Sequence, residues 1–172
     1  MHIFLTGEVQ VGKSTVIKNI LSQSGLSADG FMTYWETESD GSQSLHISPY
    51  SPQTQTAERH LVTVRGMVGK PLVTKEVTDV FDKRGAEILG ASGKRDIIVM
   101  DELGFLESEA LNFQEIVLGH LGKYVPVLGV IKPARTKFLD TVRSHPAAAI
   151  YEVTGQNRDK LTALLIKEVL HG

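Results

Sequence analysis

Cysteine is missing from all 172 residues. That excludes a disulfide scaffold, a cysteine-ligated zinc site and a cysteine nucleophile. The six histidines include no pair at i, i+4 spacing, so a dedicated transition-metal site is not expected either. A charge excess is also lacking. Eighteen basic and 20 acidic residues leave a formal charge of -2, which argues against a general binder of nucleic acid or of membrane surfaces. No long apolar run opens the chain: Ile3-Phe4-Leu5 stops at Thr6-Gly7, too short for a signal peptide or a membrane span. A cytoplasmic location is the expectation. There is no G-x-S-x-G elbow, no internal repeat and no linker that would divide the chain. What is present is 41% hydrophobic and 22% charged residues, enough to bury a core in a single domain spanning 1–172.

The apolar runs fall into two kinds. Ile97-Ile98-Val99-Met100, Tyr124 to Ile131 and Ala149 to Val153 are continuous, as in strands covered on both faces. His2 to Thr6 reads as a short buried strand, stopped by Gly7. Phe31 to Thr37 reads as a strand, Asp40-Gly41 as a turn, and Leu45 to Ser48 as the hairpin partner. Helical spacing runs over Thr15 to Ser22, Thr74 to Leu89, Glu109 to Leu121, Thr136 to Arg143 and Asn157 to Leu170. Pro49 to Glu58 reads as a surface loop. Strands alternating with helices predict a three-layer α/β domain with a mostly parallel sheet and a β-hairpin excursion.

The strongest local signal is Gly7-Glu8-Val9-Gln10-Val11-Gly12-Lys13-Ser14, which fits G-x-x-x-x-G-K-[ST]. A phosphate cradle needs backbone N–H groups turned inward, and glycine permits the tight loop. A helix starting at the loop's end adds its N-terminal dipole. Gly7 through Thr15 are therefore candidate phosphate-binding residues. Lys13 is placed to reach the β- and γ-phosphates, and the Ser14 hydroxyl to coordinate Mg²⁺. A strand precedes the motif and an amphipathic helix follows, the context this loop requires.

Asp101 and Glu102 stand where a buried strand ends, on the side where open α/β sheets bind ligands. Asp101 is the second candidate for holding Mg²⁺. Glu102 is the candidate for orienting and deprotonating an attacking water. With a Glu after the metal Asp, an extra strand is expected between the phosphate-loop strand and the acidic one. Tyr124 to Ile131 is that strand. Its end would turn Lys132, Pro133, Ala134 and Arg135 toward the terminal phosphate. Lys132 and Arg135 are then candidates for stabilising charge on the transferred group, with Arg135 carried as the catalytic choice. A solvated basic loop is the competing reading. Phe31, Tyr34 and Trp35 read as core or cross-strand packing rather than a base-stacking platform. Thr154 to Arg158 follows the last strand, near where the nucleobase lies in many P-loop folds; the competing and slightly favoured reading is that Asn157 simply caps the last helix.

In order along the chain, Gly7 to Thr15, Gly30-Phe31-x-Thr33, Val99-x-Asp101-Glu102-Leu103-Gly104-x-x-Glu107, Pro126 to Gly129 and Tyr151-Glu152-Val153-Thr154-x-x-Asn157-Arg158 resemble the small nucleoside-triphosphatase family first described from thermophiles. Its other name is cancer-related nucleoside-triphosphatase. The resemblance spans nearly the whole chain. It implies hydrolysis of several NTPs to NDP and phosphate with little base selectivity. It also implies a P-loop fold with a RecA-like sheet and the phosphate-loop strand in its middle. The chain departs from the family pattern at Phe105, where Lys is common, and after the middle strand. The family's arginine-bearing hairpin is not evident around Glu36 to Leu45.

Three functions fit these residues: an NTP hydrolase, a nucleotide or nucleoside kinase, and an NTP-binding switch. Retention of both Asp101 and Glu102 disfavours a purely binding role. A kinase needs an arginine-bearing lid, for which Arg65 and Lys70 mark the only available region. Nucleoside triphosphates and Mg²⁺ are the expected ligand and cofactor. No membrane or nucleic-acid partner is expected.

Overall fold

The computed structural model describes residues 1–51, 58–65 and 71–171. Seven strands form one sheet: β1 (His2–Thr6), β2 (Ala28–Thr37), β3 (Gln43–Pro49), β4 (His60–Arg65), β5 (Ile97–Leu103), β6 (Val127–Ile131) and β7 (Ala148–Glu152). Their order is β4-β3-β2-β5-β6-β1-β7. The five strands from β2 to β7 run parallel, and β3 and β4 extend the sheet antiparallel beyond β2.

The continuous apolar runs sort onto two faces by strand alternation. Ile97, Val99, Leu128 and Val130 join Val16, Ile17, Ile20 and Leu21 of α1 (Lys13–Ser24) and Leu161 and Leu165 of α6 (Arg158–His171). Ile98, Met100, Val127 and Ile131 face the opposite layer. There lie α4 (Leu111–Leu121) and α5 (Lys137–Arg143), with α2 (Lys75–Val80), a π-helical turn (Phe81–Gly85) and α3 (Ala86–Gly90). Phe113 of α4 anchors that layer. Its ring centroid lies 5.4 Å from those of both Phe31 and Phe81. Two layers of helices thus enclose the sheet, the expected three-layer arrangement. Thr74 and Thr136 cap α2 and α5, accepting from Val77 N–H at 3.3 Å and Leu139 N–H at 3.2 Å.

Four differences from the sequence reading have local causes. β6 begins only at Val127, because Lys123 to Pro126 form a turn and Tyr124 is fully exposed. The segment read as one helix from Thr74 to Leu89 contains a π-turn at Gly85. A Cβ on that glycine would lie 3.0 Å from the Phe113 ring. β4 was not foreseen. His60–Arg65 mixes buried Val62 with exposed Leu61 and Val64, because the pairing with β3 shifts register between Leu45 and His46 and breaks the two-residue alternation. Finally, β1 lies second from one edge rather than in the middle, because only β7 is added beyond it while β6, β5 and the β2–β4 strands all lie on its other side. Of the expected loop from Pro49 to Glu58, Pro49 ends β3 and residues 52–57 lie outside the described residues, as does Lys70.

Two glycines let strands approach closely. Gly30 on β2 has φ +118°, and a Cβ there would sit 2.0 Å from the Val99 carbonyl oxygen. A Cβ on Gly129 of β6 would sit 2.6 Å from the Phe4 ring. Among the described residues, no helix is long and apolar enough to cross a membrane.

Candidate active site

The loop after β1 adopts the backbone that its glycines permit. Gly7 and Gly12 have φ of +135° and +94°, and Gln10 is also left-handed at +65°. Glu8, Val9 and Gln10 form its exposed crest, while Val11 packs on the α1–α6 core cluster. Gly12 leads directly into α1. Among the described residues, that helix receives no side-chain cap and no acidic residue in its first turn. Its first N–H groups and dipole are thus left to an anion. Ser14 and Thr15 are exposed at the mouth. Lys13 folds back over the loop and donates to the carbonyls of Gly7 at 3.0 Å and Glu8 at 2.6 Å. Burial lowers its pKa from the ordinary lysine value, while Glu102 and Asp101 pull it back up.

β6 separates β1 from β5, as anticipated, and the acidic pair lies across it from the loop. The β5–β6 ladder pairs Met100 with Gly129 and then Leu103 with Ile131. One extra residue on β5 therefore bulges between them, lifting Asp101 and Glu102 out of regular register. Bulges of this kind re-aim side chains at the edge of a site. The Asp101–Glu102 peptide bond is cis. Thr33 of β2 holds this segment from the other side. Its hydroxyl accepts from Glu102 N–H at 3.3 Å and lies 3.5 Å from Asp101 O.

Asp101 is 7% exposed. Burial pushes its carboxyl up to about 6, against a hydrogen bond from Ser14 and the charge of Lys13 that hold it down. Ser14 and Asp101, the two expected metal ligands, therefore face one another. Glu102 accepts an ion pair from Lys132, Nζ to Oε1 2.6 Å. Lys132 is anchored through its own N–H to Leu103 O at 2.9 Å. Its stem runs over Gly104, 3.2 Å from where a Cβ would stand.

Gly104 N–H in turn donates to Glu107 Oε2 at 2.9 Å. Glu107 is 3% exposed, and burial pushes its carboxyl up to about 7 while Lys132 opposes the shift. Sequence reasoning placed Glu107 in a motif without a role, and Thr33 likewise. Both act by holding backbone, which leaves no signature in spacing.

The structure separates the two basic candidates after β6. Lys132 joins the site, whereas Arg135 is exposed and faces Asp140 of α5 at 3.5 Å. Arg143 enforces this course of the chain, donating to the carbonyl of Ala134 at 2.8 Å and to that of Lys132. Beyond Glu36 to Leu45, Arg59 lies just before β4 and Arg65 ends it. Arg59 pairs with Glu36 at 2.7 Å, and the Arg65 guanidinium lies 4.3 Å from the Trp35 ring centroid. Phe31 is core and Tyr34 stacks on His46, so the aromatics of β2 pack as expected. Among the described residues, the Asn157 side chain does not accept from an N–H of the last helix. Its Oδ1 accepts from Thr154 N–H and its Nδ2 donates to Glu152 O, both at 2.8 Å, which fastens the turn after β7.

A family profile described as NTPase matches residues 2–166. The chain belongs to this NTPase family. The nucleoside-triphosphatase THEP1 of Natranaerobius thermophilus is 31% identical over 174 residues, covering 98% of this chain and 96% of the relative. That of Thermotoga petrophila is 29% identical over 171 residues, covering 99% and 92%. Among solved structures, the crystal structure of THEP1 from Aquifex aeolicus superposes with a TM-score of 0.75 at 24% identity, covering 98% of this chain and 99% of that one. NTPase membership and the P-loop fold agree with the phosphate loop and acidic strand end described above.

Proposed function

We propose that the protein is a Mg²⁺-dependent nucleoside triphosphatase that hydrolyses ATP, GTP and other NTPs to NDP and phosphate. The observation that carries this reading is Glu102, held across β6 from the phosphate loop and paired with Lys132 at 2.6 Å. The donor set suits the metal. A hydroxyl and a carboxylate are hard oxygen ligands of the kind Mg²⁺ takes alongside substrate phosphates, and the buried Asp101 carboxyl gains most from a cation beside it. Ser14 and Asp101 would hold it. Bound there, Mg²⁺ supplies neutralisation of charge on the phosphate oxygens.

The protein's own groups do the rest. Loop N–H groups and Lys13 bind the β- and γ-phosphates, with Lys13 exchanging its carbonyl partners for phosphate oxygens. Lys132 moves from Glu102 to the terminal phosphate, which frees the carboxylate and places a cation where charge accumulates. Glu102 orients a water and takes its proton as the water oxygen bonds to the γ-phosphorus. The bond from that phosphorus to the β,γ-bridging oxygen breaks, and the electron pair leaves with NDP. No N-K-x-D base-reading motif is present, so ATP and GTP should be used within about tenfold of each other, or ~1.4 kcal/mol.

Glu102→Gln tests this reading. Gln keeps the size but cannot accept the proton, so single-turnover phosphate release should fall by about 10²–10⁴-fold while Mg·NTP still binds. Asp101→Asn should weaken Mg·NTP binding as well. Wild-type hydrolysis by the Gln variant would remove Glu102 from the chemistry. Including nucleoside and monophosphate acceptors distinguishes a kinase, which would deliver phosphate to them.

A further inference from the structure

The two flanks of the phosphate loop differ. β5, carrying Asp101 and Glu102, lies on one side of β1 across β6, and β7 lies on the other. A triphosphate in the loop with its terminal phosphate toward the carboxylates therefore has its nucleoside end on the β7 side. There the turn after β7 delivers Arg158, the first residue of α6. Its Cδ and one terminal nitrogen each lie 3.2 Å from the point a Cβ on Gly12 would occupy, and Thr15 Cβ lies 3.8 Å from that point. The arginine thus rests on the phosphate loop itself, over the space the glycine leaves.

Its root is fixed. Asn157 ties the turn to Thr154 and Glu152, and Arg158 N–H donates to Thr154 O at 3.2 Å. Its tip is available. The side chain is 42% exposed, and its ion partner Asp159, at 3.3 Å, is 89% exposed. Such a solvated pair is weak and readily given up.

We propose that Arg158 is the platform for the nucleoside end of the substrate, its guanidinium plane stacking on the nucleobase. A guanidinium is flat, delocalised and weakly hydrated, so it stacks on aromatic faces. Every base has such a face, and stacking does not read the edges that distinguish one base from another. The platform thereby supplies affinity without base preference. The inference rests on the reading that NTP occupies the phosphate loop.

Calorimetric titration with Mg²⁺ tests it, comparing wild type, Arg158→Ala and Arg158→Lys against ATP, GTP, CTP, UTP and inorganic triphosphate. Arg158→Ala should weaken all four nucleotides by about tenfold and leave inorganic triphosphate at its wild-type affinity, which also reports an intact loop. Arg158→Lys keeps the charge but not the plane, so it should resemble Ala. If inorganic triphosphate weakens in step with the nucleotides and Lys restores both, Arg158 is a phosphate contact and the platform is refuted. Unchanged binding of every ligand by Arg158→Ala refutes it equally. A wild-type protein that binds neither inorganic triphosphate nor nucleotide would instead overturn the phosphate-loop reading beneath it.

Discussion

Glu107→Gln probes the buried carboxyl beneath the acidic end of β5. Glu107 has an ordinary value of 4.5, and burial in the native state pushes it up to about 7. A raised carboxyl binds its proton more tightly when the chain is folded. The stability this confers is fully present below pH 4.5. It is lost as pH rises toward 7, where the folded protein must ionise a group that the unfolded chain ionises readily. At ~1.4 kcal/mol per pH unit, that gap is worth about 3 kcal/mol. Gln imitates the neutral carboxyl in size and can still accept from Gly104 N–H, so it removes the loss.

Urea unfolding of both proteins from pH 4 to 8 isolates this effect, because other titrating groups, such as the buried His2 and His120 with lowered pKa values, are common to both. Wild-type stability relative to the variant should fall by about 3 kcal/mol across that range and level off near pH 8. A difference that does not change with pH would refute the reasoning and mean that Glu107 titrates normally in place.

The other perturbations separate binding, chemistry and packing. Lys13→Ala should weaken Mg·NTP binding in calorimetry and abolish turnover; wild-type affinity would sink the phosphate-loop assignment. Lys132→Ala should lower kcat by about 10²–10³-fold with binding largely retained, whereas Arg135→Ala should leave phosphate release unchanged; the reverse pattern would show that Arg135 enters the site with substrate. Gly30→Ala forces a methyl onto the Val99 carbonyl at a backbone angle that L residues avoid, and should cost about 4 kcal/mol or more in thermal or urea unfolding. A wild-type melting temperature would mean that β2 can shift away from β5.

What the sequence made legible was what neighbouring residues impose on one another. The phosphate loop could be read because strand, glycines and helix must adjoin. The Asp101–Glu102 pair could be read because it directly follows the continuous apolar run Ile97-Ile98-Val99-Met100. The intervening strand followed from the pair's position. Choosing between Lys132 and Arg135 was beyond reach, because Arg143, eleven residues past Lys132 and on another element, sets where that loop points. β4 was hidden because the register shift against β3 breaks its alternation, so that Leu61 and Val64 are both exposed around buried Val62. Asn157 at the start of a helix has the composition of a cap, but its Oδ1 is taken by Thr154 N–H and its Nδ2 by the β7 carbonyl of Glu152. The contact of Arg158 with Gly12 joins the two ends of the chain, and no local pattern carries it.

The strand between the loop and the carboxylates acts as a spacer of fixed thickness. Neighbouring strands stand about 4.8 Å apart, so inserting β6 sets β1 and β5 roughly 10 Å from each other. Adjacent strands would bring the Glu102 carboxylate one strand width closer to the loop; two strand widths leave a slot between them. Gly129, midway along the spacer, keeps its width even, since the Phe4 ring lies over it where a side chain would wedge the sheet open. The width of that slot is therefore set by backbone hydrogen bonds rather than by side-chain rotamers, and it should persist through most substitutions that alter the chemistry performed inside it.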